Sequence, residues 1–263
     1  MNNDLLITSA QNPRIKRLLA LQQKPTLRRQ EGLTVVEGLR ELQHCLCAGF
    51  EIESIFRCTE LCHDTLEACG AATCFEVSKN VYERIAYRGG TEGVMAIVRP
   101  QNRSLKDLVL GENPLLIVLE SVEKPGNLGA VLRSADAAAA TAVIVCDPLT
   151  DLYNPNVIRS SIGAIFTVPC VACSTQECID FFKRNHIAIL TAQLQDSLPY
   201  YDTPMTGATA IVMGTEATGL TDAWRQAADA HIRIPMNGNL DSLNVSVSAA
   251  ILLFEAVRQR NAL

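Results

Sequence analysis

The chain has 263 residues, 48% of them hydrophobic and 19% charged, a balance that supports one large or two modest packed domains and excludes a disordered chain. Aromatic residues make up only 5%, which speaks against a protein that works mainly by stacking bases on exposed rings. The formal charge of −5 excludes an overall basic field, yet residues 1–30 set Arg14, Lys16, Arg17, Lys24, Arg28 and Arg29 against Asp4. Such a local patch suits either a solvated helix face or a phosphate-binding arm.

In chain order, Ser9 or Asn12 can cap a first helix, with Pro13 in its first turn and Ile15, Leu18, Leu19 and Gln22 at helical spacing. After a polar stretch, Leu33–Val36 is predicted as a strand and Leu39–Ala48 as a helix. Ile52–Arg57, Thr73–Val77 and Val94–Val98 are further short strands, with helical segments near 60–69 and 78–86. Residues 1–100 thus make a small α/β unit. The polar, proline-bearing run 99–104 marks a boundary, and 101–113 is expected to be a linker.

From 114 to 263 the pattern changes. Leu115–Leu119 is a continuous apolar run, the mark of a strand covered on both faces. Further strands are expected at Ala142–Cys146, Phe166–Val171, Ile187–Ala192, Ile211–Met213 and His231–Ile234. Helices near Leu128–Ala140, Asn156–Ser161, Thr175–Asn185 and Thr221–Ala228 alternate with them. This alternation predicts an α/β fold with a mostly parallel sheet. In the last helix, Val245, Ala249, Leu252, Leu253 and Ala256 form one apolar stripe, Asn244 is the N-cap, and Arg258 and Arg260 complement the helix dipole.

Met1–Asp4 lacks the basic start of a secretory signal, and no apolar run approaches the roughly 20 residues that span a bilayer. A cytoplasmic protein is expected. In that reducing setting the ten cysteines should be thiols. Cys170 and Cys173 have zinc-knuckle spacing, and Cys58 and Cys62 lie near His63, but each set is incomplete. Core thiols are the better reading, and no metal is expected.

Three turns follow strands in the second half: Glu123–Arg133, Met213–Gly219 and Ile234–Asn244. Ligands of open α/β sheets gather at the carboxyl ends of strands, so all three turns can meet at one cleft. Gly126 and Gly129 do not make a dinucleotide fingerprint, and no acidic residue follows at ribose-binding distance. That argues against a nicotinamide oxidoreductase. Glu216, between Gly214 and Gly219, is a carboxylate on a tight loop after a buried strand, which suits a functional group or an exposed loop acid.

These residues resemble a known family. Asn127-Leu-Gly129-Ala-Val-Leu-Arg133, Met213-Gly-Thr-Glu216-Ala-Thr-Gly219-Leu, and Ile234-Pro-Met236 with Ser242-Leu-Asn244 are similar to the three motifs of the SpoU (TrmH) branch of the SPOUT RNA methyltransferases. Asp151–Gly163, with Arg159, is similar to the segment that follows the first motif, and Ile7–Lys16 with Val36–Arg40 resembles the family's accessory substrate-binding domain. Lys124 stands where the family often has a small polar or acidic residue, and Ala138-Ala139-Ala140 replaces the usual aromatic-glycine.

The resemblance implies methyl transfer from S-adenosylmethionine to a ribose 2′-hydroxyl of RNA, by a homodimer whose 114–263 domain is a deep trefoil knot. It assigns Ala192, Met213, Gly214, Ile234, Met236 and Leu243 to the cofactor pocket. Arg133 is expected to be essential, with Asn127, Glu216, Ser242 and Asn244 orienting it and the ribose. The family gives such an arginine the base role, aided by a substrate phosphate; a guanidinium stays protonated in nearly all proteins and is equally well shaped to fork onto a phosphate, so base and clamp both stand as readings of Arg133. Arg14, Lys16, Arg17, Arg28, Arg29 and Arg159 are expected to contact RNA, most plainly ribosomal RNA; a tRNA enzyme or a catalytically silent RNA-binding module are the alternatives.

Overall fold

The structure, a computed structural model, describes residues 6–64, 72–87, 92–215, 218–239 and 242–262. Glu216 and most of the helical segment expected near 60–69 lie outside them; residues 60–61 form a turn. The chain divides into two compact units, one formed by Met1–Gln101 with Tyr153–Thr167 and the other by Asn102–Leu152 with Val168–Leu263.

The first unit opens with β1 (Leu6–Ile7) and α1 (Pro13–Gln23). The Asn12 side chain accepts the Arg14 amide at 2.9 Å, and Ile15, Leu18 and Leu21 turn inward. The polar stretch after α1 is a second helix, α2 (Pro25–Glu31), absent from the sequence prediction. Pro25 disfavours helical backbone at Lys24, which is extended, and then supplies the first residue of the new helix. β2 (Thr34–Glu37), α3 (Leu39–Cys47), β3 (Glu51–Arg57), β4 (Thr73–Val77), α4 (Lys79–Ile85) and β5 (Val94–Arg99) follow close to the predicted spans. They build a sheet of order β1-β4-β3-β5-β2, with β5 antiparallel to both neighbours and the β1–β4 and β3–β4 pairs parallel.

The second unit begins with Leu105, Leu108 and Leu110 packed on its core, so the expected linker is anchored there. β6 (Leu115–Glu120), α5 (Pro125–Ala137) and β7 (Ala142–Cys146) come next. The chain then supplies α6 (Pro155–Ser160) and α7 (Ala164–Thr167) to the first unit. There Thr34 Oγ1 donates to the Tyr153 carbonyl at 2.6 Å, and Phe50 meets the rings of Tyr153 and Phe166 edge-on. Gly163 holds φ +81, and a Cβ on it would press on His44.

Ala164–Thr167 corrects the strand expected at Phe166–Val171: its first part is a helical turn, and the strand is β8 (Cys170–Cys173). An apolar run of this length fits either state, and burial of Phe166 on Phe50 decides for the turn. α8 (Thr175–Arg184), β9 (Ala188–Ala192), β10 (Leu198–Pro199), β11 (Thr209–Met213), α9 (Asp222–Ala227), β12 (Ala230–Arg233) and α10 (Val245–Asn261) complete the second unit. Its sheet has the order β10-β12-β9-β11-β6-β7-β8, and every described pair is parallel. β6, β7 and β11 are buried along their whole length, as strands covered on both faces must be. No described helix is long and apolar enough to cross a membrane.

Candidate active site

β11 lies between β6 and β9, so the chain's direction across the sheet reverses there. Such a switch point opens a crevice at the carboxyl ends of the strands. The turns after β6, β9, β11 and β12 line two adjoining clefts of about 360 and 380 Å³, and Gly214, Thr215, Thr218 and Val245 wall both. Ser121, straight after β6, holds φ +52, a conformation that costs energy for a residue with a Cβ.

The larger cleft is lined by Ala192, Met213, Gly214, Ile234, Met236 and Leu243, the six residues assigned to the cofactor, together with Ser242. Its size suits a small-molecule site, roughly 300–1,000 Å³. Met213, Ile232, Ile234, Met236 and Leu252 give it an apolar lining. Gly214 is required by close approach: a Cβ there would fall on the Gly219 carbonyl group and the Leu220 amide. The loop between them closes on itself, with Thr215 N–H donating to Gly219 O at 3.3 Å, Gly219 N–H returning to Thr215 O at 3.1 Å, and Gly219 at φ +68.

Asn127, in the first turn of α5, lines the smaller cleft. Asn244 caps α10 by accepting the Ser246 amide at 3.0 Å, and its Nδ2 donates to Asn127 Oδ1 at 3.2 Å. One side chain therefore serves as a cap and as a bridge between two motifs far apart in the chain. Arg133 is exposed, walls neither cleft, and makes no hydrogen bond or ion pair among the described residues. Six residues along a helix rotate it about 120° from Asn127 and raise it roughly 9 Å.

Two residues of the site go unmentioned in the sequence prediction. Glu120 ends β6 at 4% exposure, accepting from the Thr221 amide at 2.9 Å, the Thr221 hydroxyl at 2.7 Å and the Thr175 hydroxyl at 3.2 Å. It ties the loop that follows β11 to the centre of the sheet; a carboxylate closing an unbroken apolar run was its signal. Gln193 follows β9 and lines the larger cleft. Its amide nitrogen donates to Gln195 O at 2.9 Å, while its buried Oε1 has no hydrogen-bond partner among the described residues. An orphaned buried acceptor costs stability, and a donor on a bound nucleoside would satisfy it.

The basic residues divide. Lys16 and Arg29 are exposed, and Arg14 lies 4.7 Å over the Phe75 ring. Arg17 is paired with Glu31 at 2.6 Å and Glu53 at 2.5 Å, which hold its guanidinium well above the usual range. Arg28 corrects the expectation of an RNA contact: it is 4% exposed and donates to the carbonyls of Leu21 and Gln22, closing the end of α1. Arg159 lies 3.7 Å over the Tyr87 ring and donates to Asn156.

A glycine-walled cleft of mixed polar and apolar lining at the switch point of a parallel sheet defines an α/β protein with room for a nucleoside-sized ligand. Comparison with known proteins says which. The sequence model of the SpoU rRNA Methylase family matches residues 114–254, and that of the MRM3-like substrate binding domain matches residues 12–96. The 23S rRNA (guanosine-2'-O-)-methyltransferase RlmB of Escherichia coli (strain K12) is 38% identical over 176 residues, 65% of this chain and 72% of that protein. A crystal structure of an RNA 2'-O ribose methyltransferase superposes with a TM-score of 0.85 at 39% identity, over 97% of this chain and 99% of its own. The AdoMet-bound rRNA methyltransferase from Sinorhizobium meliloti gives a TM-score of 0.88 at 28% identity, over 96% and 97%. The chain belongs to the SpoU rRNA methylase family.

Proposed function

We propose that this chain transfers a methyl group from S-adenosylmethionine to a ribose 2′-hydroxyl of ribosomal RNA, working as a homodimer in the cytoplasm. The single observation that carries the reading is the convergence of Ala192, Met213, Gly214, Ile234, Met236 and Leu243, from separate motifs, on one cleft. The RNA must supply a 2′-hydroxyl, which DNA lacks. The threaded trefoil implied for 114–263, and the division of the chain at 101–113, belong to the same proposal.

S-adenosylmethionine, when bound, supplies a methyl carbon activated by a positive sulfur. As the oxygen–methyl bond forms, the sulfur–methyl bond would break to leave a neutral thioether and the hydroxyl proton would pass to water or an RNA phosphate oxygen; the residues of the chain bind and orient the two partners. Met213, Ile234, Met236 and Leu243 give an apolar slot, and Gly214 lets a ligand lie against backbone. Gln193 Oε1 accepts from an amine or hydroxyl of the ligand. Asn127 and Asn244, already bonded to each other, hold the ribose so that its oxygen faces the methyl carbon. The planar fork of the Arg133 guanidinium engages an RNA phosphate and fixes the strand. Lys16, Arg14 and Arg29 add phosphate contacts from the first unit.

Arg133 stands on α5, which packs along α10. The outer side of α10 bears Val247 and Phe254, each 47% exposed, seven residues apart and so on one face. A helix apolar on two sides is built to be covered on both. That face is the proposed dimer contact, and it lets Arg133 serve the cleft of the second copy.

Ribose methylation of ribosomal RNA, mapped with and without the gene, tests the reaction: one site lost in its absence is expected, and an unchanged map overturns the assignment. Arg133→Ala is expected to abolish transfer while cofactor affinity stays within a few-fold. At a cofactor concentration too low to load Gly214→Ala, mixing the two variants restores activity if Arg133 acts across the dimer, and restores none if it acts within its own chain.

A further inference from the structure

Outside the cleft, three thiols of the second unit converge. Cys146 ends β7, Cys173 ends β8 and Cys178 lies four residues into α8. Parallel pairing sets Cys146 beside Cys173, with sulfurs 3.9 Å apart, and all three sulfurs lie within 4.8 Å of one another. Cys146 and Cys178 are fully buried and Cys173 is partly exposed, so the triangle has one open side. Metal–thiolate bonds of about 2.3 Å require sulfurs roughly 3.8–4.0 Å apart, in trigonal or tetrahedral arrangement. Small side-chain rotations bring this triangle to that size.

We propose that Cys146, Cys173 and Cys178 form a structural site for one thiophilic d10 cation, Zn²⁺ in preference to Cu⁺. Charge decides the preference. Three thiolates around Zn²⁺ leave a net charge of one, whereas Cu⁺ leaves two, and burial among apolar side chains penalises the larger charge. Binding forms three metal–sulfur bonds and releases three thiol protons to solvent. The fourth position, on the open side at Cys173, is left to water. Cys170, whose spacing from Cys173 looks like a zinc knuckle, takes no part; the ligand set comes from two strands and a helix.

The ion would staple β7, β8 and α8 at the carboxyl edge of the sheet. Thr175, the first residue of α8, already donates its amide to Asp147 at 3.1 Å and its hydroxyl to Glu120, the residue that anchors Thr221. The site therefore stiffens the same edge that carries the cleft without touching the reacting groups.

The test uses the full-length, reduced, metal-free protein titrated with Zn²⁺ against a chromophoric chelator. One tight equivalent is expected. It persists in Cys47→Ser and Cys74→Ser, whose thiols are exposed, and weakens at least about tenfold in Cys173→Ser. A measurement on the unmodified chain guards against a misfolded variant: mass spectrometry of thiol alkylation should show Cys173 protected by one equivalent of Zn²⁺ and Cys47 not. Protection by Cu⁺ but not by Zn²⁺ overturns the choice of ion, and no protection of Cys173 by either overturns the site.

Discussion

The cofactor cleft and the basic segment each rest on six residues named from sequence, and the two sets fare differently in three dimensions. All six cleft residues line one cavity. Among the basic residues, Arg28 is buried and Arg17 and Arg159 are engaged within the first unit. The cleft set consists of glycine and apolar residues at the ends of strands and in the turns after them, and such positions are fixed by the local backbone. The availability of a cation depends on acids elsewhere: Glu31 and Glu53 lie 14 and 36 residues from Arg17. Motif resemblance carries a position in a turn, but it does not carry a free charge.

The sharpest way to break that comparison is Gly214→Ala. The added methyl collides with the Gly219 carbonyl and pushes the loop out of the cleft wall. Overpacking of about 1–3 kcal/mol predicts a loss of S-adenosylmethionine affinity of roughly ten- to 100-fold, read by calorimetry. Unchanged affinity would detach this loop from the site.

Arg28→Met and the pair Lys16→Ala, Arg29→Ala separate structural from available cations. Removing the Arg28 guanidinium strands the Leu21 and Gln22 carbonyls and should cost about 2 kcal/mol in denaturant unfolding, with no change in the salt dependence of RNA binding. The exposed pair should do the opposite. Stability stays within about 0.5 kcal/mol, and the salt slope falls by up to about 0.7–0.9 per charge removed. Equal salt slopes for the two variants would erase the distinction.

A smaller effect sharpens the comparison at one backbone position. α5 ends with the Ala140 amide donating to Ala135 O and the Ala139 amide to Asp136 O, which leaves Ala139 left-handed at φ +49. Glycine is the residue suited to that cap. Ala139→Gly, where the resembling family carries its aromatic-glycine pair, should raise stability by about 0.5–1 kcal/mol in the same unfolding measurement. No gain would mean that the turn is relaxed with alanine.

Much of the fold was legible. Unbroken apolar runs gave β6, β7 and β11, because parallel strands covered on both faces admit no polar alternation. Asn12-Pro13 marked the start of α1, because a capping side chain and a missing N–H meet there. What escaped was short or nonlocal. β1 and β10 are two residues each, too brief for any period. α2 was hidden by its polar, exposed surface. In the site, Gln193 had no motif to announce it, Glu120 only its place at the end of an apolar run, and Arg133 walls neither cleft.

The sequence by itself determined most of the longer strands and helices and which turns carry glycine, because backbone propensity and burial period act over a few residues. Only the tertiary structure decided that Tyr153–Thr167 joins the first unit, that Arg28 is buried, that Asn127 meets Asn244, and that Cys146, Cys173 and Cys178 share a corner. Those outcomes depend on strand order and on contacts between residues tens of positions apart, where no local preference acts.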